Sequence, residues 1–188
     1  MMRKTPHRYT RPPRYEPLFI MVVNSEAARY DKKKISDLSE KIGKAGGRFQ
    51  IIEPGSPRDT IFQIRRIVNS RPEGIIACGG DTTVNVVAQS LVRHTTGLGI
   101  MPMGRFNNIY RSLYGEPDMS QAMENILSKK SRKIDHGLIG DRFFLGSVGI
   151  GLIPELFESI RKKGAPRFGI GWSRLTAQAA ARVPVTPL

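Results

Sequence analysis

Short apolar segments alternate with amphipathic ones over residues 18–128. Four apolar runs have the length of strands, at residues 18–23, 49–52, 74–77 and 98–101. Apolar residues recur at helical spacing between these runs, which predicts helices. Strands without polar alternation, separated by helices, are typical of a parallel sheet that helices cover on both faces. We therefore predict an α/β fold with a mostly parallel sheet and a ligand site at the carboxyl ends of its strands.

Local signals place the ends of several predicted helices. Two glycines, Gly46 and Gly47, follow the first helical segment and predict its end. Ser56 precedes a proline, with an acid three residues after the serine, and this pattern predicts a helix over residues 57–69. A third helix is predicted directly after Asp81, because Val84, Val87 and Leu91 share one face.

The pattern changes after about residue 130. Residues 133–139 and 142–148 flank Gly140 and Asp141, a connection that favours a β-hairpin. Helical patterns follow at residues 154–163 and 172–182, and residues 183–188 resemble the approach to another strand. The sequence thus predicts three parts. These are a flexible basic tail at residues 1–17, an α/β nucleotide-binding domain at 18–130, and the incomplete beginning of a β-rich domain at 131–188.

Positive charge is concentrated in several clusters. The chain has 30 Lys and Arg against 16 Asp and Glu, a formal net charge of +14. The clusters lie in the tail and at residues 32–34, 129–133 and 161–167. Nucleotide phosphates, anionic lipids and nucleic acid would all suit such surfaces. Aromatic residues interleaved with basic ones are lacking, as is a recognition helix, so we do not expect nucleic acid as a partner.

Compartment signals in the sequence are sparse. The single cysteine, Cys78, cannot form an internal disulfide. No apolar run approaches the roughly 20 residues that a transmembrane helix needs, and residues 1–17 lack the apolar region of a secretory signal. We expect a cytoplasmic protein, with the basic clusters favouring peripheral contact with an anionic membrane surface.

Residues 75–83 carry the most informative pattern, because an apolar strand is followed by Gly79 and Gly80, then Asp81, Thr82 and Thr83. Glycine backbones allow amides to approach a phosphate closely, and the following helix N-terminus adds unpaired N–H groups. A carboxylate at this position can hold magnesium or accept a proton in phosphoryl transfer. An ordinary turn, with Asp81 or Thr82 capping the helix, is the alternative explanation.

A second candidate segment, residues 99–108, follows the next predicted strand. It contains Gly104, Arg105, Asn107 and Asn108. The guanidinium of Arg105 could bind phosphate, and the two asparagines could hydrogen-bond a nucleotide. Asn107 could equally cap the helix that carries Ile109 and Leu113. Neighbouring strand ends form one crevice, so we expect both segments to contribute to one site.

Together the two segments resemble the catalytic domain of the diacylglycerol kinase and bacterial lipid kinase family, which is related to sphingosine kinases and, more distantly, to NAD kinases. The family shows a Gly-Gly-Asp-Gly-Thr loop and, one strand later, a Pro-x-Gly-Thr-x-Asn-Asp segment. The similarity covers about residues 18–160. The counterparts in this chain are Asn24, Gly79, Gly80, Asp81, Thr83, Asn85, Pro102, Gly104, Asn107, Arg111 and Asp135.

The resemblance implies a kinase that uses ATP and magnesium and phosphorylates a lipid hydroxyl. It implies that Asp81 serves magnesium or base chemistry, and it leaves the oligomeric state open. The nucleotide site implied by the resemblance and by the loop patterns consists of Asn24, Gly79, Gly80, Thr82, Thr83, Gly104, Arg105, Asn107 and Asn108.

Departures from the family pattern keep two alternatives open. Thr82 replaces a glycine, which would be costly if that position needs a positive φ. Val86 and Asn108 stand where the family has acids, and the family's β-rich second domain is expected to be only begun in this chain. The alternatives are a non-catalytic nucleotide- or phospholipid-binding relative and an NAD kinase-like enzyme.

Overall fold

The protein is described from a computed structural model, which covers residues 16–149, 151–163 and 169–182. Nearly all of the predicted basic tail lies outside the described residues, as does the strand approach predicted at residues 183–188. The chain divides into two compact units, Met1–Gly146 and Ser147–Leu188. The predicted division at residue 130, with a β-rich domain after it, stays a prediction.

A four-stranded parallel sheet forms the centre of the first unit, as predicted. The strands are β1 (Leu18–Val23), β2 (Arg48–Ile52), β3 (Gly74–Gly79) and β4 (Gly97–Pro102). They are ordered β2-β1-β3-β4, and every pair is parallel. The sheet confirms the predicted α/β fold class. Its central strands, β1 and β3, are almost wholly buried because both of their faces are covered.

Five α-helices connect and cover these strands. They are α1 (Lys32–Lys44), α2 (Pro57–Ile67), α3 (Asp81–Leu91), α4 (Asn108–Tyr114) and α5 (Met119–Leu127). The crossovers β1-β2 and β3-β4 run in opposite directions along the sheet, so right-handed connections place α1 and α3 on opposite faces. Helix α2 packs against α3, and α5 packs against β4 and α1.

A capping serine begins helix α2, and a 3-10 turn follows its end. The Ser56 Oγ accepts the Asp59 N–H at 3.1 Å, which confirms the predicted start at Pro57. The helix ends two residues before the predicted Asn69, because a 3-10 turn over Val68–Ser70 follows and Arg71 then adopts a φ of 52°. Helix α5 is not individually predicted from the sequence, although the Asp118 side chain caps it.

A two-stranded antiparallel sheet follows the α/β core. It consists of β5 (Gly137–Ile139) and β6 (Arg142–Phe144), joined by the predicted turn, in which Gly140 has a φ of 56°. The predicted hairpin over residues 133–139 and 142–148 is therefore correct in kind and too long. Gly146 adopts a φ of 94°, outside the extended region, so β6 cannot continue through it.

The second unit contains two helices, α6 (Leu152–Lys163) and α7 (Gly169–Ala180), which pack against each other. Leu175 and Ala179 are buried in α7. The positions of both helices agree with the sequence prediction to within three residues. Among the helices that the structure describes, none is both long and apolar enough to cross a bilayer.

Candidate functional site

The loops after β1, β3 and β4 meet at the carboxyl edge of the sheet. The Asn24 Nδ2 donates to the Thr83 Oγ1 at 3.3 Å, and this bond joins the end of β1 to α3. The Met103 N–H donates to the Gly79 carbonyl at 2.9 Å and joins the loops after β3 and β4. The strand order reverses between β1 and β3, and such switch points are where parallel sheets bind ligands. The structure thus brings the two predicted segments together.

The N-terminus of α3 is open at this edge. Gly80 is the N-cap residue, with extended backbone, and no side chain caps the helix. The alternative in which Asp81 or Thr82 caps α3 is therefore wrong. Thr82 lies in the first helical turn and has no positive φ, so the strain that its β-branched side chain could have caused does not arise. Uncapped amides and the helix dipole both favour an anion here.

Two glycines allow the loops after β3 and β4 to touch through their backbones. A Cβ built on Gly104 would lie 2.4 Å from the Gly80 Cα, and one built on Gly80 would lie 3.0 Å from the Gly104 Cα. Gly79 is also covered, since a Cβ there would lie 2.4 Å from the Thr83 Oγ1. Close internal packing thus requires these glycines, whether or not a phosphate approaches them.

Asp81 connects α3 to α4. Its Oδ1 accepts the Ile109 N–H at 2.8 Å. Ile109 is the second residue of α4, and its N–H is the kind of group that an N-cap side chain normally satisfies. Asp81 therefore performs the capping role for α4. Asn107 does occupy the N-cap position that the alternative interpretation gave it, but its side chain makes no capping bond to the helix.

Asn107 instead holds its own loop together. It is 3% exposed and has a φ of 54°. Its Oδ1 accepts the Gly104 N–H at 2.8 Å, while its Nδ2 donates to the carbonyls of Gly104 at 2.9 Å and Pro102 at 3.3 Å. Asparagine tolerates the left-handed conformation better than most residues. The side chain is thus engaged inside the protein, and its predicted contact with a nucleotide stays a prediction.

Four of the predicted site residues lie exposed at the crevice loops. These are Asn24 after β1, Thr82 in the first turn of α3, Arg105 in the loop after β4 and Asn108 at the start of α4. No ion pair involves Arg105 among the described residues. Arg105 and Asn108 are accessible to a ligand, and their contact with a nucleotide stays a prediction.

Asn85 is a structural residue outside the predicted nucleotide site. Its Oδ1 accepts the Leu145 N–H at 2.8 Å, which joins α3 to the end of the β5-β6 hairpin. The partners are 60 residues apart in sequence. In the sequence, Asn85 stands out only as a counterpart of the family motif, and nothing there predicts its bond to Leu145.

A cavity of about 330 Å³ lies beside α4. Ile109, whose N–H binds Asp81, lines it together with Leu113. Arg132 and Lys133 lie at the cavity, and Arg132 donates from Nη2 to the Leu113 carbonyl at 3.0 Å. The cavity therefore combines an apolar wall with two cations and one carboxylate, that of Asp135, and it shares Ile109 with the hydrogen bond to Asp81.

Few carboxylates are available for a metal. Among the described residues, no group of three His, Cys, Asp or Glu side chains lies close enough to hold an ion. Asp81 uses Oδ1 for the Ile109 N–H, which leaves Oδ2 for another partner. Magnesium is commonly held by one or two carboxylates, with water and substrate phosphates completing its shell. Such an ion would take Oδ2 of Asp81 as its protein ligand, with phosphate and water oxygens supplying the rest of its shell.

The fold and the crevice define an α/β domain of the kind shared by diacylglycerol kinases and NAD kinases. A family model, the diacylglycerol kinase catalytic domain, matches residues 18–139. That match covers more than half of the chain and includes both crevice loops. The chain belongs to the diacylglycerol kinase catalytic domain family.

Individual relatives agree with this assignment. The chain is 28% identical over 127 residues to a diacylglycerol kinase of Staphylococcus carnosus, covering 66% of this chain and 42% of that protein. It is 27% identical to the diacylglycerol kinase of Staphylococcus aureus strain Newman, covering 66% of this chain and 40% of the relative. The chain thus spans about two fifths of the length of these curated relatives.

Solved structures share the fold. A diacylglycerol kinase from Bacillus anthracis superposes with a TM-score of 0.59 and 21% identity, covering 71% of this chain and 50% of that one. A second Bacillus anthracis structure, provisionally described as a diacylglycerol kinase, gives a TM-score of 0.64 at 22% identity, covering 77% of this chain and 54% of the other.

Proposed function

We propose that the protein acts as an ATP-dependent lipid kinase, which transfers the γ-phosphate of ATP to the hydroxyl of diacylglycerol or a related lipid. Family membership supports a kinase. The observation that carries the proposal is the position of Asp81. This carboxylate lies where the loops after β3 and β4 meet, at the open N-terminus of α3.

The loop after β3 would bind the phosphates of ATP. Uncapped amides in the first turn of α3 suit phosphate oxygens. Thr83 is held in place by Asn24, and Arg105 is exposed in the neighbouring loop, so both could contact the nucleotide. Arginine binds phosphate through two parallel hydrogen bonds.

Asp81 would hold magnesium or accept the proton of the acceptor hydroxyl. The bond from the Ile109 N–H fixes the orientation of the carboxylate and leaves Oδ2 for either task. Magnesium, when bound, would neutralise charge on the phosphates. Positioning and charge stabilisation account for most catalysis of phosphoryl transfer, so a carboxylate fixed in this way suits the reaction.

The cavity beside α4 is the proposed approach of the acceptor. Its apolar wall at Ile109 and Leu113 suits the acyl chains of a lipid where they join the glycerol, and Arg132 and Lys133 suit an anionic surface around it. Ile109 belongs both to this cavity and to the hydrogen bond with Asp81. A hydroxyl entering from the cavity would therefore lie close to the carboxylate.

Transfer of radiolabel from γ-labelled ATP tests the proposal. The full chain is incubated with magnesium and either diacylglycerol in detergent or NAD. We expect label in the lipid, and we expect the Asp81→Asn variant to show none while it keeps its fold. Label in NAD alone would overturn the lipid assignment in favour of an NAD kinase-like enzyme.

A second candidate, a non-catalytic nucleotide-binding relative, is favoured by one observation. Val86 and Asn108 stand where the resemblance expects acids. Under this alternative, ATP binds to the chain and neither acceptor gains label. Equilibrium binding of a fluorescent ATP analogue, measured beside the transfer assay, distinguishes the two candidates.

A further inference from the structure

The outer edge of β2 is open. This strand lies at one end of the four-stranded sheet and pairs with β1 alone among the strands that the structure describes. Only its last residue, Ile52, is buried, whereas β1 and β3 are almost wholly buried. The strand belongs to the α/β core and is followed directly by α2. An open strand edge is a template for pairing with a further strand.

The backbone of β2 directs two of its residues towards this open edge. The Arg48 N–H donates to the carbonyl of Pro17, just before β1, at 2.8 Å. Backbone groups alternate in direction along a strand, so the N–H and carbonyl groups of Phe49 and Ile51 point away from β1. The register between β1 and β2 is continuous across these positions, without a bulge. Phe49 and Ile51 thus each present a donor and an acceptor at the edge.

Two apolar side chains accompany these backbone groups. Phe49 is 43% exposed and Ile51 is 41% exposed. Alternate residues of a strand share a face, so both side chains lie on the same face of β2. Edge strands are commonly protected by lysine, proline or a bulge, and the segment from Phe49 to Ile51 has none of these. The edge therefore combines an unpaired backbone with an apolar strip.

An antiparallel second copy of β2 matches all of these groups at once. With Gln50 opposite Gln50 of the second copy, Phe49 of each chain lies opposite Ile51 of the other. Opposite residues alternate between hydrogen-bonded and non-hydrogen-bonded pairs, and a hydrogen-bonded pair exchanges two bonds. Both pairs of Phe49 with Ile51 are then hydrogen-bonded, on either side of the central Gln50 pair. Aromatic and β-branched side chains are also favourable neighbours across strands.

Charge favours the antiparallel arrangement. The strand begins with a cation, Arg48, and an acid, Glu53, follows its last residue. Antiparallel pairing brings the Arg48 end of each copy beside the Glu53 end of the other, whereas parallel pairing would bring like charges together. Arg48 is also paired with Glu16 at 3.4 Å. These three residues together carry no net positive charge, in a chain whose net charge is +14.

We propose that β2 is a dimerisation strand, through which two copies of the chain join their sheets across a two-fold axis at Gln50. Such a contact uses the same surface of both chains. Two five-residue strands form a small interface, so we expect a weak dimer with a dissociation constant of about 10–100 μM. The inference goes beyond the proposed kinase function and does not depend on it, because oligomeric state is measured without ATP or lipid.

Sedimentation equilibrium of the full chain, at about 5 to 300 μM, tests for the dimer. We expect the average mass to rise towards twice the 21.0 kDa of one chain. Ile51→Pro removes an N–H from the open edge and none from the ladder with β1, so it should weaken the dimer about tenfold or more. Phe62→Ser, which removes a 59% exposed side chain from α2, is the control and should dimerise like the parent. Equal weakening in both variants would contradict pairing through β2.

Charged substitutions test the register. Phe49→Lys/Ile51→Lys places like charges opposite each other in the proposed dimer and should leave a monomer. Phe49→Lys/Ile51→Glu places opposite charges at the same positions and should restore dimerisation. Both variants lose the same apolar side chains, so hydrophobicity alone cannot separate them. If neither variant dimerises, or both do, the proposed register is wrong.

A disulfide at the two-fold axis reports the pairing directly. Opposite residues of a non-hydrogen-bonded pair have Cα atoms about 4.5 Å apart, which a disulfide can span. In a Cys78→Ala background, which removes the single cysteine, Gln50→Cys should crosslink under mild oxidation. Arg48→Cys should not, because Arg48 lies opposite Ile52 of the second copy. Equal crosslinking at both positions would overturn the proposal, as would a chain that stays monomeric at every concentration.

Discussion

Asp81 and Ile109, 28 residues apart, are joined by a hydrogen bond of 2.8 Å from the backbone N–H of Ile109 to the carboxylate of Asp81. The bond connects the first turns of α3 and α4, which follow neighbouring strands. Asp81 thus caps α4 at the place where the proposed reaction needs a carboxylate. Substitutions that keep or remove the oxygen acceptor of this side chain can separate its structural role from its chemical role.

We predict that Asp81→Asn and Asp81→Ala differ in stability and agree in activity. Asparagine can still accept the Ile109 N–H, so this variant should unfold within a few tenths of a kcal/mol of the parent. Alanine leaves α4 without its cap and should cost about 1 kcal/mol. Both should lose phosphoryl transfer. Urea unfolding followed by circular dichroism, beside the radiolabel assay, measures the difference; an active Asp81→Asn would exclude a chemical role for the charge.

Gly104→Ala should destabilise the protein by about 3 kcal/mol, because its Cβ would meet the Gly80 backbone, which cannot move aside cheaply. Gly43→Ala is the matched control. Gly43 lies inside α1 with open space around it, so alanine there should stabilise by about 1 kcal/mol. Chemical denaturation of both variants checks the prediction. A Gly104→Ala protein as stable as the parent would show that the loops can separate without loss.

Asn107 substitutions should separate hydrogen bonding from backbone conformation. Asn107→Ala removes the partner of the buried Gly104 N–H and places a Cβ at a φ of 54°, with an expected cost of about 3 kcal/mol. Asn107→Gly loses the same bonds and tolerates the conformation, so it should be about 1 kcal/mol more stable than the alanine variant. Unfolding midpoints of the two would coincide if the left-handed backbone carried no cost.

Arg105→Ala should lower ATP affinity about tenfold, since a charge-assisted hydrogen bond to phosphate contributes about 1.5 kcal/mol or more. The loss should shrink as salt rises, because the arginine is exposed. Arg65→Ala, at an exposed position near the end of α2, is the control and should bind ATP like the parent. Calorimetric titration at two salt concentrations measures both effects. Equal affinities would remove Arg105 from the proposed nucleotide site.

Burial raises the pKa of the Cys78 thiol, which is wholly inaccessible at the end of β3. In the unfolded chain this thiol titrates near 8.5. Its folded-state pKa is higher, so stability should be constant below that pH and fall above it, by up to about 1.4 kcal/mol per pH unit. Cys78→Ala should lack this thiol-dependent loss between pH 8.5 and 9.5. A thiol-reactive dye should label the native protein only as fast as it opens; rapid labelling at pH 8 would contradict the burial.

Elements with local signals are predicted well. The strands β1 and β3 are recognisable because they consist of continuous apolar residues, and α2 is recognisable from Ser56 and Pro57. The predicted fold class and family are confirmed on this basis. Helix ends and the length of the hairpin are less well predicted, since the 3-10 turn after α2 and the φ of Gly146 depend on packing.

Contacts across the crevice could not be predicted residue by residue. The sequence placed the loops after β3 and β4 at one site, because parallel strands end at one edge. Asp81 caps α4 because of the way α3 and α4 are positioned relative to each other. A pattern of residue types does not encode that arrangement. The inward turn of Asn107 likewise depends on a left-handed backbone, and the bond of Asn85 to Leu145 spans 60 residues.

Backbone contact between Gly80 and Gly104 couples the loops after β3 and β4, so the two loops form one shared element that opens as a unit. The amides of Met103, Gly104 and Ile109 all donate across or within this element, to Gly79, Asn107 and Asp81 respectively. Solvent hydrogen can reach these three amides only when the shared element opens, so their exchange rates should rise and fall together. A nucleotide that binds either loop would then protect the amides of both.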